Sequence, residues 1–182
     1  MDFPALAAEC APWVAPQTLA AIVRTESQFR PFAIGVNKGF RLVRQPISRE
    51  EAVVTAKWLI ANGYNIDLGL GQINHKNLAR TGLTVEDAFD SCKNLAATAR
   101  ILGENYSSAK RIIQGEQQAL QAALSAYNTG SFSRGFSNGY VQKVLYNAGE
   151  ISVAEPAARQ QQRTSAAAAD AYLPVKNTGE PE

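Results

Sequence analysis

Apolar positions recur at helical spacing through most of the chain. Around Pro16 a helix opens, with proline tolerated in its first turn, and Leu19, Ile22 and Val23 form a stripe at i, i+3 and i+4. Ser48 followed three residues later by Glu51 reads as a capping box, opening a helix through Val54, Trp58 and Leu59 that Gly63 ends. A third helix follows Ser91, with Leu95, Ala99, Leu102 and Tyr106 on one face. A fourth carries Leu120, Ala123, Leu124 and Tyr127 and stops at Asn128 to Gly130. Asn138 caps a last helix through Tyr140, Val141, Val144 and Leu145.

Two stretches break that period. Ala33–Val36 and Phe40–Val43 are spaced to pair as a short hairpin around Asn37, Lys38 and Gly39. Tyr64–Asn74 reads as a turn-rich loop. The expected fold class is therefore α+β, mostly α-helical, with a small β-hairpin region.

From about Ser152 the composition shifts to alanine, glutamine, proline and small polar residues, including four consecutive alanines from Ala166. The expectation is one domain over residues 1–151 and a low-complexity, disordered tail over 152–182. A chain of 182 residues that is 46% hydrophobic and 19% charged has enough apolar material for one such core.

The 18 basic residues against 16 acidic ones leave a net charge of only +2, and they are scattered rather than clustered. Nucleic acid is thus a poor candidate partner, since it calls for a dense basic stripe. No run of about 18 apolar residues is present to span a membrane. The opening Met-Asp-Phe-Pro lacks the charged and apolar segments of a secretory signal, so any export relies on a removed signal or on another route. Cys10 and Cys92 have no metal-ligand spacing. They are either two buried thiols or one disulfide closing a long loop, worth roughly 4.5 kcal/mol on the chain-entropy estimate.

Glu26 is the residue that needs explaining, because it continues the Leu19, Ile22, Val23 stripe at i+7, where an apolar side chain is expected. Burial and the negative end of the helix both disfavour its charged form, so its pKa should rise. A carboxylic acid still protonated near neutrality can give a proton to a leaving glycosidic oxygen. The plainer alternative is a glutamate that reaches solvent at a fraying end or pairs with Arg24 or Arg30. Gly69–Asn74, G-L-G-Q-I-N, joins glycines that admit close backbone approach to amides, Gln72 and Asn74, suited to an acetamido or hydroxyl group. Ala126–Gly130, A-Y-N-T-G, places Tyr127 on an apolar face and Asn128 at a helix end. Each of the last two has an ordinary explanation in turn and helix-end geometry.

Taken in order, Glu26-Ser27, G-L-G-Q-I-N and A-Y-N-T-G resemble the motifs of the soluble lytic transglycosylase family, whose fold is lysozyme-like. Within that family, E-C-A-P near the start, V-A-P-Q-T-L-A-A-I-V-R-T-E-S and D-L-G-L-G-Q-I-N are similar to the enzymes of type IV secretion systems. The resemblance covers about residues 5 to 150. It implies that Glu26 is the catalytic acid/base and that Ser27 steadies the substrate or the glutamate. It also implies that Gln72 contacts the sugar near the cleavage point, with Asn74 beside it, and that Tyr127 and Asn128 line the cleft. Tyr140, in G-Y-V, resembles a further cleft tyrosine. Many relatives carry methionine where this chain has Gly71, a departure that alters an apolar contact and removes no chemistry.

The implied substrate is the glycan strand of peptidoglycan and the implied compartment the periplasm, where a Cys10–Cys92 disulfide is favoured. Implied partners are type IV secretion components, met through the tail; no cofactor and no metal is implied. Asp67 leaves a hydrolytic alternative open: placed beside the cleft, it would position a water as in an inverting lysozyme. A non-catalytic wall-binding assembly protein is the second alternative, and a desolvated acid argues against it. His75, the only histidine, is expected at the surface after the loop.

Overall fold

A computed structural model of the chain describes residues 2–149. The predicted tail 152–182 and its recruiting role lie outside the described residues.

The helical stripes fold largely as their spacing predicts. α1 (Phe3–Cys10), which the pattern did not disclose, has proline in its first turn and lays Phe3 and Ala7 against α2 (Pro16–Glu26). On α2, Leu19, Ile22 and Val23 are fully buried, each contributing roughly 1.5–3 kcal/mol of transfer free energy. α5 (Ser91–Lys110) completes this cluster with Leu95 and Ala99, and Asp90 caps it by accepting the Lys93 N–H at 2.9 Å. Cys10 and Cys92 form a disulfide, with Cα atoms 5.2 Å apart, that fastens the end of α1 to the first turn of α5. α6 (Glu116–Thr129) packs on α5 and ends at Gly130, whose φ is 68°. α8 (Tyr140–Asn147) buries Tyr140, Val141, Val144 and Leu145 and lies across α2 and α6. Gly139 rather than Asn138 takes the capping position of α8, and Asn138 Oδ1, two positions before the helix start, accepts the Tyr140 N–H at 3.0 Å; a short helix α7 (Arg134–Ser137) precedes it.

α3 (Arg49–Ala61) opens as a capping box, although only half of it closes in the usual way. Ser48 Oγ accepts the Glu51 N–H at 3.2 Å, while the Glu51 carboxylate reaches past Ser48 to the Ile47 N–H at 2.9 Å. Its buried face corrects the expected one. Ala52, Ala56 and Leu59 face the core, whereas Val54 and Trp58 are exposed.

The sheet is the larger correction. β1 (Ile34–Val36) does not pair with Phe40–Val43, which forms no strand. It pairs antiparallel with β2 (Ile66–Leu68), and β2 pairs with β3 (Ile73–Asn74), both inside the stretch expected to be loop. The chain closing β1 onto β2 spends α3 in between, so hydrogen bonding is satisfied by a distant partner rather than a neighbouring one. Gln45 occupies the free edge of β1 instead, accepting the Ile34 N–H at 2.8 Å and donating to the Ile34 carbonyl at 2.9 Å. Ile34, Ile66, Leu68 and Ile73 bury one face of this sheet with Leu59 and Phe89, and α4 (Leu78–Thr81) follows β3 after one turn of 3₁₀ helix.

Candidate active site

α2 ends at Glu26 because the next residues leave helical geometry sharply. Gln28 and Phe29 both take positive φ, 55° and 60°, which costs each non-glycine residue about 1–3 kcal/mol and must be offset by its surroundings. Phe29 is held edge-on against Phe3 at 5.1 Å between ring centres, with the Arg24 guanidinium over it at 5.7 Å. Arg30 Nε donates to the Ser27 carbonyl at 3.0 Å. Both arginines are thereby engaged away from Glu26, and among the described residues Glu26 makes no ion pair.

Its partner is Tyr140, at the first position of α8, whose phenol donates to Glu26 Oε1 at 2.6 Å. Burial pushes the Glu26 carboxyl from 4.5 up to about 7; the Tyr140 hydrogen bond opposes that rise, nearby Asp67 adds to it and Lys143 opposes it. The Tyr140 phenol is itself pushed up by burial and by the neighbouring carboxylate, so it stays a donor. Ser27 is turned away: it is buried and its hydroxyl donates to the Val23 carbonyl at 3.2 Å, one turn back.

The facing wall is the sheet. Antiparallel register sets Asp67 opposite Asn74, and the Asn74 amide donates to Asp67 Oδ1 at 2.7 Å and to Asn65 Oδ1 at 2.8 Å. Asn37 donates to Asp67 Oδ2 at 2.9 Å. Burial raises the Asp67 pKa, and the two amides act against it. Gln72, in a left-handed turn at φ 49°, folds its amide back onto the Ala33 and Gly69 carbonyls at 3.1 and 2.9 Å.

The turn between β2 and β3 is braced from α5 and α6. Asn94, fully buried, accepts the Gly71 N–H at 2.8 Å and donates to the Leu68 and Ala88 carbonyls at 3.0 and 2.8 Å. Gly69 sits at φ 74°, and a Cβ there would meet the Ala88 carbonyl and the Asn94 amide. Tyr127 donates to the Gly71 carbonyl at 2.6 Å. A Cβ on Gly71 would collide with the Thr98 hydroxyl and lie 2.8 Å from the Tyr127 phenol oxygen. The glycine at that position is thus part of how Tyr127 is seated, a larger consequence than the altered apolar contact expected of it. Asn128 is exposed and accepts from the Asn138 amide at 2.9 Å.

Glu26, Asp67, Gln72, Asn74, Tyr127 and Asn128 line one cavity of ≈ 490 Å³ between these walls. Ser27 and Tyr140 are not among its lining; Tyr140 acts on it through Glu26. Sequence reasoning missed Asn37, Asn65 and Asn105, which share the lining, and the braces Asn94 and Thr98. Asn94, Thr98 and Asn105 recur at i, i+4 and i+11 along α5, a polar stripe legible beside the apolar one. A larger hollow of ≈ 960 Å³ along α5, with Trp13, Leu83 and Arg100 in its wall, holds none of the predicted site residues. His75 is only partly exposed, and its Nε2 is buried without a hydrogen-bond partner, so the expected surface position is half right.

A family model described as Transglycosylase SLT domain matches residues 3–145. Type IV secretion system protein virB1 of Brucella suis biovar 1 (strain 1330) is 47% identical, over 97% of this chain and 76% of its own length. Protein virB1 of Agrobacterium fabrum (strain C58 / ATCC 33970) is 41% identical over 79% of this chain and 58% of its own length. No solved structure matches the chain.

Proposed function

The chain belongs to the transglycosylase SLT family, with its lysozyme-like fold, and from that premise we propose that Glu26 alone serves as acid and then base in cutting the MurNAc–GlcNAc bond of peptidoglycan. The observation that carries this is the Glu26–Tyr140 pair. Tyr140 occupies Oε1, so the proton of a carboxyl whose pKa is about 7 resides on Oε2. Transfer from Oε2 to the glycosidic oxygen breaks the bond to C1, and the acetamido group of the muramoyl sugar stabilises the developing cation. The carboxylate then takes the proton of that sugar's 6-hydroxyl, whose oxygen bonds to C1. Protons balance, no water is consumed, and the product is a 1,6-anhydro sugar.

Asp67 fits this scheme as an anchor rather than a second catalyst. Each of its oxygens already accepts an amide N–H, and those amides belong to the wall of the cavity. Gln72, Asn74, Tyr127 and Asn128 then shape the site around the sugars, Tyr127 by fixing the Gly71 turn. Ser27 supports Glu26 from behind, through the last turn of α2.

Relatives named for type IV secretion support reading this activity as the local opening of the wall for a secretion channel, carried out in the periplasm. Residues 152–182 are the proposed means of meeting secretion components. Among the described residues no helix is long and apolar enough to cross a membrane. Mass spectrometry of digested peptidoglycan tests the chemistry: anhydro-muropeptides, each one water lighter than its hydrolysed counterpart, are the expected major products. A mixture dominated by reducing-end muramic acid, abolished by Asp67→Asn, would overturn it in favour of hydrolysis.

A further inference from the structure

A second hollow, ≈ 500 Å³, adjoins the first and shares Asn37 and Asn65 with it. Its chemistry is opposite. The first contains Glu26 and Asp67 with one cation, Arg80; the second contains no carboxylate, and its wall includes Lys38, Lys76 and His75. Among the described residues neither lysine makes a salt bridge, whereas Lys57, Lys93 and Lys110 do; Lys143, outside this wall, makes none either. Lys38 is moreover held in a left-handed turn, φ 64°, followed by Gly39 at 81°. That turn is tied to the first cavity's wall by the Asn37 N–H to the Asn65 carbonyl at 2.9 Å and by the Asn37 amide to Asp67. A non-glycine residue kept in that conformation, with an unpaired cation at its tip, marks a place where side-chain direction matters.

The rest of the wall joins the amides of Asn37, Asn62 and Asn65 to the apolar surfaces of Phe40, Ile60 and Tyr64. Phe40, more than half exposed, packs edge-on to Tyr64 at 5.5 Å, and Tyr64 stacks at 6.3 Å on Trp58, which lies outside the wall. Two unpaired ammonium groups, side-chain amides and an aromatic wall suit a ligand with carboxylates, amide bonds and short apolar side chains. A neutral sugar would leave both cations unused.

Resting on the reading of the first cavity as the glycan-cutting site, we propose that this adjoining hollow binds the peptide stem of the strand being cut, its carboxylates paired with Lys38 and Lys76. Peptide stems branch from the muramoyl sugars, so a stem next to the scissile bond is delivered here by the strand itself. The hollow then sets a preference for stem-bearing over bare glycan.

The full chain is tested on soluble glycan strands with intact stems and on the same strands stripped of stems by an amidase. For Lys38→Gln/Lys76→Gln, KM on stem-bearing strands should rise roughly fivefold to tenfold with kcat unchanged. On stripped strands the variant and the wild type should be equal. An equal loss on both substrates, or none on either, would overturn the proposal. Binding is read separately from cleavage by titrating a tripeptide muropeptide into the full chain carrying Glu26→Gln, following the single histidine by NMR. Saturable shifts of the His75 imidazole, lost when both lysines are replaced, support the hollow even if the wild type cuts neither strand, an outcome that would sink the cleavage reading alone. An unmoved His75 signal would overturn the stem site while leaving cleavage untouched.

Discussion

The two walls of the active-site cavity each hold one carboxyl group, and they treat it differently. On the helical wall, Glu26 is buried and receives one hydrogen bond, from the neutral Tyr140; its pKa reaches about 7. On the sheet wall, Asp67 receives an amide on each oxygen, and those bonds counter its desolvation. The difference lies in what each secondary structure can offer. The helix end packed on α8 supplies a single phenol, while the sheet brings one amide, Asn74, directly opposite the acid and a second, Asn37, from just past the end of β1. One carboxyl group is thereby kept ready to give up a proton, and the other is kept as an acceptor.

The strongest way to break this contrast is Glu26→Gln, which preserves shape and the Tyr140 contact but removes the proton. Cleavage of peptidoglycan should fall by about 10² to 10⁴, the usual worth of a general acid, with binding to the wall retained. Near-normal cleavage would remove Glu26 from the chemistry.

The same variant reports on desolvation. Because the folded pKa is raised, the native state binds more protons than the unfolded one between the two values. The stability contributed by the neutral carboxyl is fully present below about 4.5 and lost as pH rises through about 7. At pH 7 the loss is ~3 kcal/mol, so Glu26→Gln should melt higher than wild type there, with the advantage vanishing toward pH 4. Equal melting temperatures at pH 7 would mean that Glu26 is solvated.

Smaller effects separate the two walls by sign. The alkaline limb of kcat/KM should fall through about pH 7 in the wild type, as Glu26 loses its proton. Tyr140→Phe removes the bond that favours the carboxylate, so the limb should move to higher pH, with a loss of rate from poorer positioning. Asp67→Asn removes a repelling charge, so the limb should move to lower pH while the products remain anhydro sugars. pH–rate profiles of both variants decide this, and shifts in the same direction would show that the walls are not electrostatically distinct.

How much of this was legible depended on the range of the information. α2, α5, α6 and α8 follow from spacing within each segment, and Glu26 stands out because it interrupts such a spacing. α3 was placed correctly but turned wrongly, since Val54 and Trp58 outweigh Ala52 and Ala56 in any count of apolar bulk, yet small residues allow the close approach to the sheet. The strands could not be read locally: they are two or three residues long, and β1 finds its partner beyond α3. Ser27 was assigned by its neighbour in a motif, but one residue along a helix end rotates the side chain by about 100°, from cavity to core. The brace Asn94 was passed over because a single asparagine beside Leu95 resembles an ordinary surface position, and its three partners lie in other segments.

The bond between Tyr140 and Glu26 joins residues 114 positions apart. The ribosome delivers the acid early and its phenol almost at the end of the domain. A chain halted at Gly139 has the Glu26 carboxyl but lacks both the hydroxyl bonded to it and the Val141, Val144 and Leu145 side chains of the helix packed against α2. On the proposed mechanism, a copy that stops short of α8 carries the acid without the phenol that orients it, so full cleavage activity awaits the completion of that helix.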